Sequence, residues 1–292
     1  MRTHPLTLPR LLATFLAIAL TTLVGPAPSN AADAALTSRW APAARAKIHP
    51  GVMMYTKGAQ CTGNFVFKDR RGRVHVGYAA HCAGTGAATD TNGCKATSRP
   101  LGTRVRFASD GSLVSAGTTV GWGRLVYSSW RTMQRLDTKR PNVCAYNDFA
   151  LVRVGAKHVK KVNPSIPFWG GPVGLNTRGT AAGDRVYSYG NSSLRGGVTE
   201  LSPKTGVSLG DEGHGWSHPV YTLSPGIPGD SGSAFLDSKG RALGVLSTLA
   251  VAPLPASNGV GDISRELGFA RRHSGIPGLH LVKGTKPFSP IL

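Results

Sequence analysis

From Gly51 onward, short apolar or alternating runs recur, each bounded by Gly, Asn, Asp or Pro. The first are Val52-Met53-Met54-Tyr55, Gly63-Asn64-Phe65-Val66-Phe67, Arg73-Val74-His75-Val76-Gly77-Tyr78 and Thr103-Arg104-Val105-Arg106-Phe107. Gly123-Arg124-Leu125-Val126-Tyr127, Ala150-Leu151-Val152-Arg153-Val154 and Arg185-Val186-Tyr187-Ser188-Tyr189 follow. Val220-Tyr221-Thr222-Leu223, Ser233-Ala234-Phe235-Leu236 and Leu243-Gly244-Val245-Leu246-Ser247 close the series. Where apolar and polar residues alternate, the period of two puts one set on each face of a strand. Many short strands with frequent turn signals predict an all-β barrel or sandwich. Lys68-Asp69-Arg70-Arg71-Gly72-Arg73 and Asp237-Ser238-Lys239-Gly240-Arg241 read as hairpin turns between such strands. One short helix is expected near the end. Asp262 can cap it, Ile263, Leu267 and Ala270 share a side, and Arg271, Arg272 and His273 suit its negative C-terminal pole. No repeat of fixed period is visible.

The start of the chain has a different character. Arg2 and Arg10 precede an apolar stretch from Leu11 to Val24, which is shorter than the roughly 20 residues a membrane span needs. Pro26-Ala27-Pro28-Ser29-Asn30-Ala31 follows, with small residues at Ser29 and Ala31. This reads as a secretory signal over 1–31, cleaved after Ala31, with Ala32 and Ala34 as neighbouring choices. Residues 32–50 are a short pro-segment or linker. No later segment is long and apolar enough to span a bilayer, so a soluble, secreted protein of about 260 residues is expected.

Four cysteines, Cys61, Cys82, Cys94 and Cys144, are an even number in a secreted chain and permit three disulfide connectivities. The pairing expected is Cys61–Cys82 with Cys94–Cys144; the first would close a hairpin ending beside His81 and stabilise it by about 3 kcal/mol. No C-x-x-C pair supports a zinc site, and no metal or organic cofactor is implied. Loss of Arg2 and Arg10 with the signal lowers the net charge from +20 to +18. The charges are dispersed. Without a basic helix, zinc finger or aromatic–basic interleaving, they argue for contact with an anionic cell surface or acidic substrates rather than specific nucleic-acid binding.

Three stretches carry chemistry: Ala79-Ala80-His81-Cys82, Asn147-Asp148-Phe149-Ala150-Leu151 and Gly226-Ile227-Pro228-Gly229-Asp230-Ser231-Gly232-Ser233. A serine hydroxyl is a poor nucleophile at neutral pH. It needs a base within hydrogen-bond reach, and the base needs an orienting group. Ser231 is the candidate nucleophile, His81 the base and Asp148 the orienter. Gly229 lets a backbone approach closely, so the N–H groups of Gly229 and Ser231 are candidates for an oxyanion hole. The order His…Asp…Ser separates this arrangement from other common triad folds.

Over roughly Gly51 to His273 these motifs resemble the chymotrypsin-like (trypsin-type) serine peptidases, and the compact chain resembles their bacterial secreted members. The resemblance implies two packed six-stranded antiparallel β-barrels with the cleft between them. The first, 51–158, would carry His81 and Asp148; the second, 159–275, would carry Ser231; 276–292 would be a tail. It implies that Cys61–Cys82 flanks the histidine and that Ser247 supports the aspartate and binds substrate backbone. It further implies a secreted serine endopeptidase acting on polypeptides through an acyl-enzyme, and a monomer is expected.

There are departures from the family's pattern. Gly-Asp-Ser-Gly continues with Ser233-Ala234 in place of Gly-Pro, and no disulfide can lie near the specificity pocket. Pro225 stands where trypsin-like enzymes carry aspartate, and Leu249 where many relatives have glycine. Together they predict a preference for small apolar residues and leave cleavage after Arg or Lys unsupported. In the family the carboxylate of Asp230 pairs with a cation, either a released N-terminal ammonium, here Ile48 after cleavage at Lys47, or an internal arginine; the arginine is the preferred reading. His75, His214 and His218 are rivals to His81 that read better as strand or surface residues, and Trp122, Trp130 and Trp169 read as core or cleft-wall residues. The alternative function is a weakly active or inactive relative serving as a cell-surface binding module.

Overall fold

A computed structural model describes residues 40–86, 90–249 and 257–290. The expected signal over 1–31 and residues 32–39 of the expected pro-segment lie outside them. The first half contributes strands β1 (Met53–Thr56), β2 (Ala59–Thr62), β3 (Val66–Lys68), β4 (Val74–Tyr78), β5 (Arg104–Ser109), β6 (Thr118–Ser128) and β7 (Ala150–Val154). The second contributes β8 (Ala182–Tyr189), β9 (Pro203–Leu209), β10 (Ser217–Thr222), β11 (Ala234–Asp237), β12 (Ala242–Leu249) and β13 (Asn258–Asp262), and β14 (His280–Leu281) follows. All named pairings are antiparallel. They form one eight-stranded sheet in the order β14-β3-β4-β7-β6-β5-β1-β2 and one closed barrel in the order β10-β13-β12-β11-β8-β9.

The first sheet has eight strands rather than the six expected. The tail is the reason for β14: His280 and Leu281 pair with Lys68 and Phe67. The tail then crosses to the other half, where Phe288 meets Tyr187 edge-on at 5.4 Å between ring centroids. Each half has its own apolar interior. Phe67 packs edge-on against Phe149 at 5.4 Å in the first, and Val186, Val220, Phe235, Leu243, Leu246 and Val260 fill the second.

The two predicted hairpin turns use one device. Asp69 accepts from the amides of Arg71 and Arg73 and from Arg73 Nε. Asp237 does the same for the amides of Lys239 and Arg241 and for Arg241 Nε. A side-chain carboxylate thus satisfies turn amides that have no ladder partner. The predicted helix is α3 (Ile263–His273), and the side chain of Asp262 caps it by accepting from the Arg265 amide at 2.7 Å. Two shorter helices, α1 (Ser129–Arg135) and α2 (Pro141–Tyr146), interrupt the strands between β6 and β7. Both expected disulfides are formed, Cys61–Cys82 and Cys94–Cys144. No helix among the described residues is long and apolar enough to cross a membrane.

Candidate active site

β4 ends at Tyr78, and a short 3-10 turn, Ala80–Ala83, presents His81. Asp148 immediately precedes Phe149 and β7, the strand paired with β4. That pairing brings the two residues together. Asp148 Oδ2 lies 2.6 Å from His81 Nδ1, and Oδ1 accepts from the His81 amide at 2.8 Å. Ser247, on β12 of the second barrel, donates to the same Oδ2 at 2.6 Å. The carboxylate is 3 % exposed. Two contacts to His81 and one hydroxyl fix the imidazole with Nδ1 toward Asp148, which leaves Nε2 free to exchange a proton.

Burial disfavours the charged imidazole of His81, but the charge and hydrogen bond of Asp148 outweigh it and raise the pKa above the ordinary value. Burial likewise disfavours the Asp148 carboxylate. His81, by charge and hydrogen bond, and the Ser247 hydroxyl outweigh it and lower that pKa. The pair therefore stabilises the fold between these limits. The Asp148 contribution is lost as pH falls through its lowered folded pKa, and the His81 contribution as pH rises through its raised one.

Ser231 is half-buried and tied to the histidine's own supports. Its carbonyl accepts from the Thr62 amide at 2.8 Å, next to the Cys61 that is bridged to Cys82. Gly232 has φ +90, and a Cβ there would come within 2.5 Å of the Thr62 carbonyl oxygen and 2.9 Å of the Ala79 nitrogen. Only glycine allows this approach, which sets Ser231 against the strand end that carries His81. The Ser231 hydroxyl makes no hydrogen bond among the described residues, to His81 or to any other group. The amides of Gly229 and Ser231 also donate to no group among them. The Gly229 carbonyl is turned away, accepting from Thr62 Oγ1 at 2.8 Å and Gln60 Nε2 at 3.1 Å.

Asp230 is fully buried beneath this loop. Arg195 Nη2 reaches its Oδ2 at 2.5 Å and Lys204 Nζ at 3.2 Å, and the Ile227 amide donates to the same oxygen. The partner cation is thus an internal arginine, as preferred, with a buried lysine beside it that the sequence reading did not name. Ile48 is buried elsewhere, its amide on the Lys161 carbonyl and its own carbonyl accepting from the Asn163 amide. Lys204 also donates to the carbonyls of Ser224 and Pro225 at 3.0 Å each. This places Pro225 directly over the charge cluster. Leu249 ends β12 opposite Asn258, and its side chain lies outside the described residues.

Glu266, on α3, was missed. It is fully buried, and its Oε1 accepts from the Asp148 amide at 2.9 Å. Burial above all, then the nearby carboxylates of Asp148 and Asp262, holds its carboxyl well above the usual range. The available signal was its place three residues after Ile263 and four before Ala270, on the apolar stripe itself. Glu266→Gln keeps the acceptor and is expected to leave thermal stability nearly unchanged. Glu266→Ala strands a buried amide and should cost about 1–3 kcal/mol, read by thermal unfolding.

The rival histidines have other surroundings. His75 is buried in β4 with Nε2 3.3 Å from Asp69. His218 is held between Asp211 and Asp262 at 2.7 and 3.0 Å. His214 sits in an exposed turn. Trp130 and Trp169 are buried, and the Trp130 ring lies 6.4 Å from that of His81. Cys61, His81 and Cys82 bring potential metal-ligand atoms within 4.8 Å of one another, but both sulfurs are spent in the disulfide, which leaves one imidazole.

No protein-family model and no curated protein sequence matches the chain. Among solved structures it is similar to a Glu endopeptidase at 15 % identity and TM-score 0.50, over 78 % of this chain and 94 % of that one. It is also similar to protease A of Thermobifida fusca at 17 % identity and TM-score 0.48, over 81 % and 99 % of the two chains. A chymotrypsin of Cellulomonas bogoriensis follows at 17 % identity and TM-score 0.46, over 80 % and 98 %. The fold is that of the bacterial chymotrypsin-like serine proteases.

Proposed function

We propose that the chain is a secreted serine endopeptidase that cleaves polypeptides through an acyl-enzyme. The observation that carries this reading is the hydrogen-bonded line Ser247–Asp148–His81, drawn from both halves of the fold and joined to Ser231 through Thr62 and Gly232. Ser231 Oγ attacks the scissile carbonyl carbon while His81 Nε2 takes its proton. The developing oxyanion meets the unpaired amides of Gly229 and Ser231. Collapse expels the amine, which leaves with the proton from His81. Water then repeats the sequence on the ester and frees Ser231. Each amide aimed at the oxyanion is worth about 2.7–4 kcal/mol in the transition state. Two disulfides support an oxidising, extracellular destination, in keeping with the signal read over 1–31.

Because the base must be uncharged and Asp148 raises its pKa, kcat/KM is expected to fall on the acid side through an apparent pKa above the ~6.5 of free histidine. A pH–rate profile checks this, and a limb at or below that value contradicts it. Specificity follows from Pro225. Two cations share one buried carboxylate beneath it, which repels Arg or Lys side chains, and Lys204 already has acceptors on Ser224, Pro225 and Asp230, so it offers no free partner to an acidic one. Small apolar residues before the scissile bond are therefore expected. Cleavage of a random peptide library tests both activity and preference: a profile dominated by Arg, Lys or Glu contradicts the preference, and no cleavage contradicts the activity.

A further inference from the structure

A second concave site lies on the first sheet and shares no residue with the apparatus around His81. Its volume is about 670 Å³, and its lining includes Arg71, Arg73, Arg104, Arg124, Arg153 and Lys157. Three of these arginines form a row that the strand register imposes. Arg104 on β5 pairs with Arg124 on β6, and Arg124 pairs with Arg153 on β7. Directly opposed residues share a face with Cβ atoms about 5 Å apart, and like charges there are destabilising. A carboxylate at the middle position would turn two repulsions into two attractions. The chain carries arginine instead.

Little on the protein offsets the cost. Of the six cationic lining residues, only Arg73 has a carboxylate partner among the described residues, the buried Asp69. Arg104 lies over the half-buried Trp122 ring at 4.2 Å, and Arg124 donates to the Gly102 carbonyl. Both keep guanidinium donors to spare. His158 also lines the cavity, and both of its ring nitrogens are shielded from solvent without a protein partner. Burial first, then the charges of Lys161 and Lys157, lowers its pKa. Local rules broken together in this way mark sites whose compensation comes from a ligand. The row sits three residues along β4 and β7 from the Tyr78–Ala150 pair beside His81, or roughly 10 Å at strand rise.

We propose that this cavity is a binding site for a ligand carrying phosphate or sulfate ester groups. Guanidinium forks match the oxygens of such tetrahedral anions two at a time, and several forks around one concavity suit more than one anionic group. The site sharpens a diffuse +20 charge into a place, and it holds whether or not the chain cleaves peptides.

The test is calorimetric titration of the purified full chain with pyrophosphate and, separately, with a heparin-derived sulfated hexasaccharide. Saturable binding of either, weakening as salt rises, is expected. Pyrophosphate binding points to a free ligand, and hexasaccharide binding alone points to one borne on an extracellular polymer. Arg124→Glu is expected to weaken binding at least tenfold while raising the midpoint of thermal unfolding, since it relieves the like-charge row. Arg178→Glu, on an exposed residue of the second half, changes net charge equally and should leave affinity unchanged. No binding by the folded wild type, an equal loss from both variants, or preference for a single-stranded oligonucleotide over both probes would overturn the proposal.

Discussion

Ser231→Ala is expected to lower peptide-bond turnover by on the order of 10⁶, the loss seen when a triad serine is removed, with the fold left intact. Both halves of that expectation follow from the same loop. The hydroxyl makes no hydrogen bond among the described residues, so its removal strands no partner. The structural work at this position is done by the backbone: the Ser231 carbonyl on Thr62, the Gly232 amide on the Leu246 carbonyl at 2.7 Å, and the Ser233 hydroxyl on the Asp230 carbonyl. Thermal unfolding of the variant should therefore match wild type while steady-state cleavage collapses. Retained turnover would show that another group is the nucleophile.

The second large effect concerns Asp230. Removing one member of a buried pair typically costs about 3–5 kcal/mol because the other charge is left uncompensated. Asp230→Asn leaves two buried cations, Arg195 and Lys204, without an anion, so a loss at the upper part of that range is expected. The loop carrying Gly229 and Ser231 should loosen with it, and activity fall even in the protein that remains folded. Arg195→Met behaves differently. It leaves Lys204 and Asp230 as a matched pair at 3.2 Å and fills the arginine's space with apolar volume. Its cost should be markedly smaller. Denaturant titration of the two variants separates them, and equal destabilisation would mean that Lys204 carries no charge in the folded protein.

The runs that announced strands were those with a buried face. Ala150–Val154 is β7 to the residue, and Val74–Tyr78 falls within the run read for β4. The strands that went unread have weaker patterns. β2 is Ala-Gln-Cys-Thr, β9 begins with proline, and β13 is Asn-Gly-Val-Gly-Asp, each ordered by the neighbours on either side rather than by its own propensity. α1 and α2 were missed because each spans about two turns or less, too short to establish a period. At the site, the local motifs were legible because they are contiguous in sequence. Arg195, Lys204 and Glu266 were not. Arg195 and Lys204 have sequence settings that look solvent-facing, Glu266 is a lone charge on the apolar stripe of α3, and each side chain is held by a long-range contact to Asp230 or the Asp148 amide. The arginine row was equally invisible, since Arg104, Arg124 and Arg153 become neighbours only through register.

In the proposed mechanism Ser231 is the nucleophile, served by His81 and by the Gly229 and Ser231 amides. Fluorophosphonate labelling of the purified protein, read by intact mass and peptide mapping with Ser231→Ala as control, tests it most directly, because the reagent needs both the activated hydroxyl and the oxyanion donors. One adduct per chain, confined to Ser231 and absent from the variant, is expected. A folded, disulfide-intact protein that takes up no label, or takes it up at another residue, would contradict it.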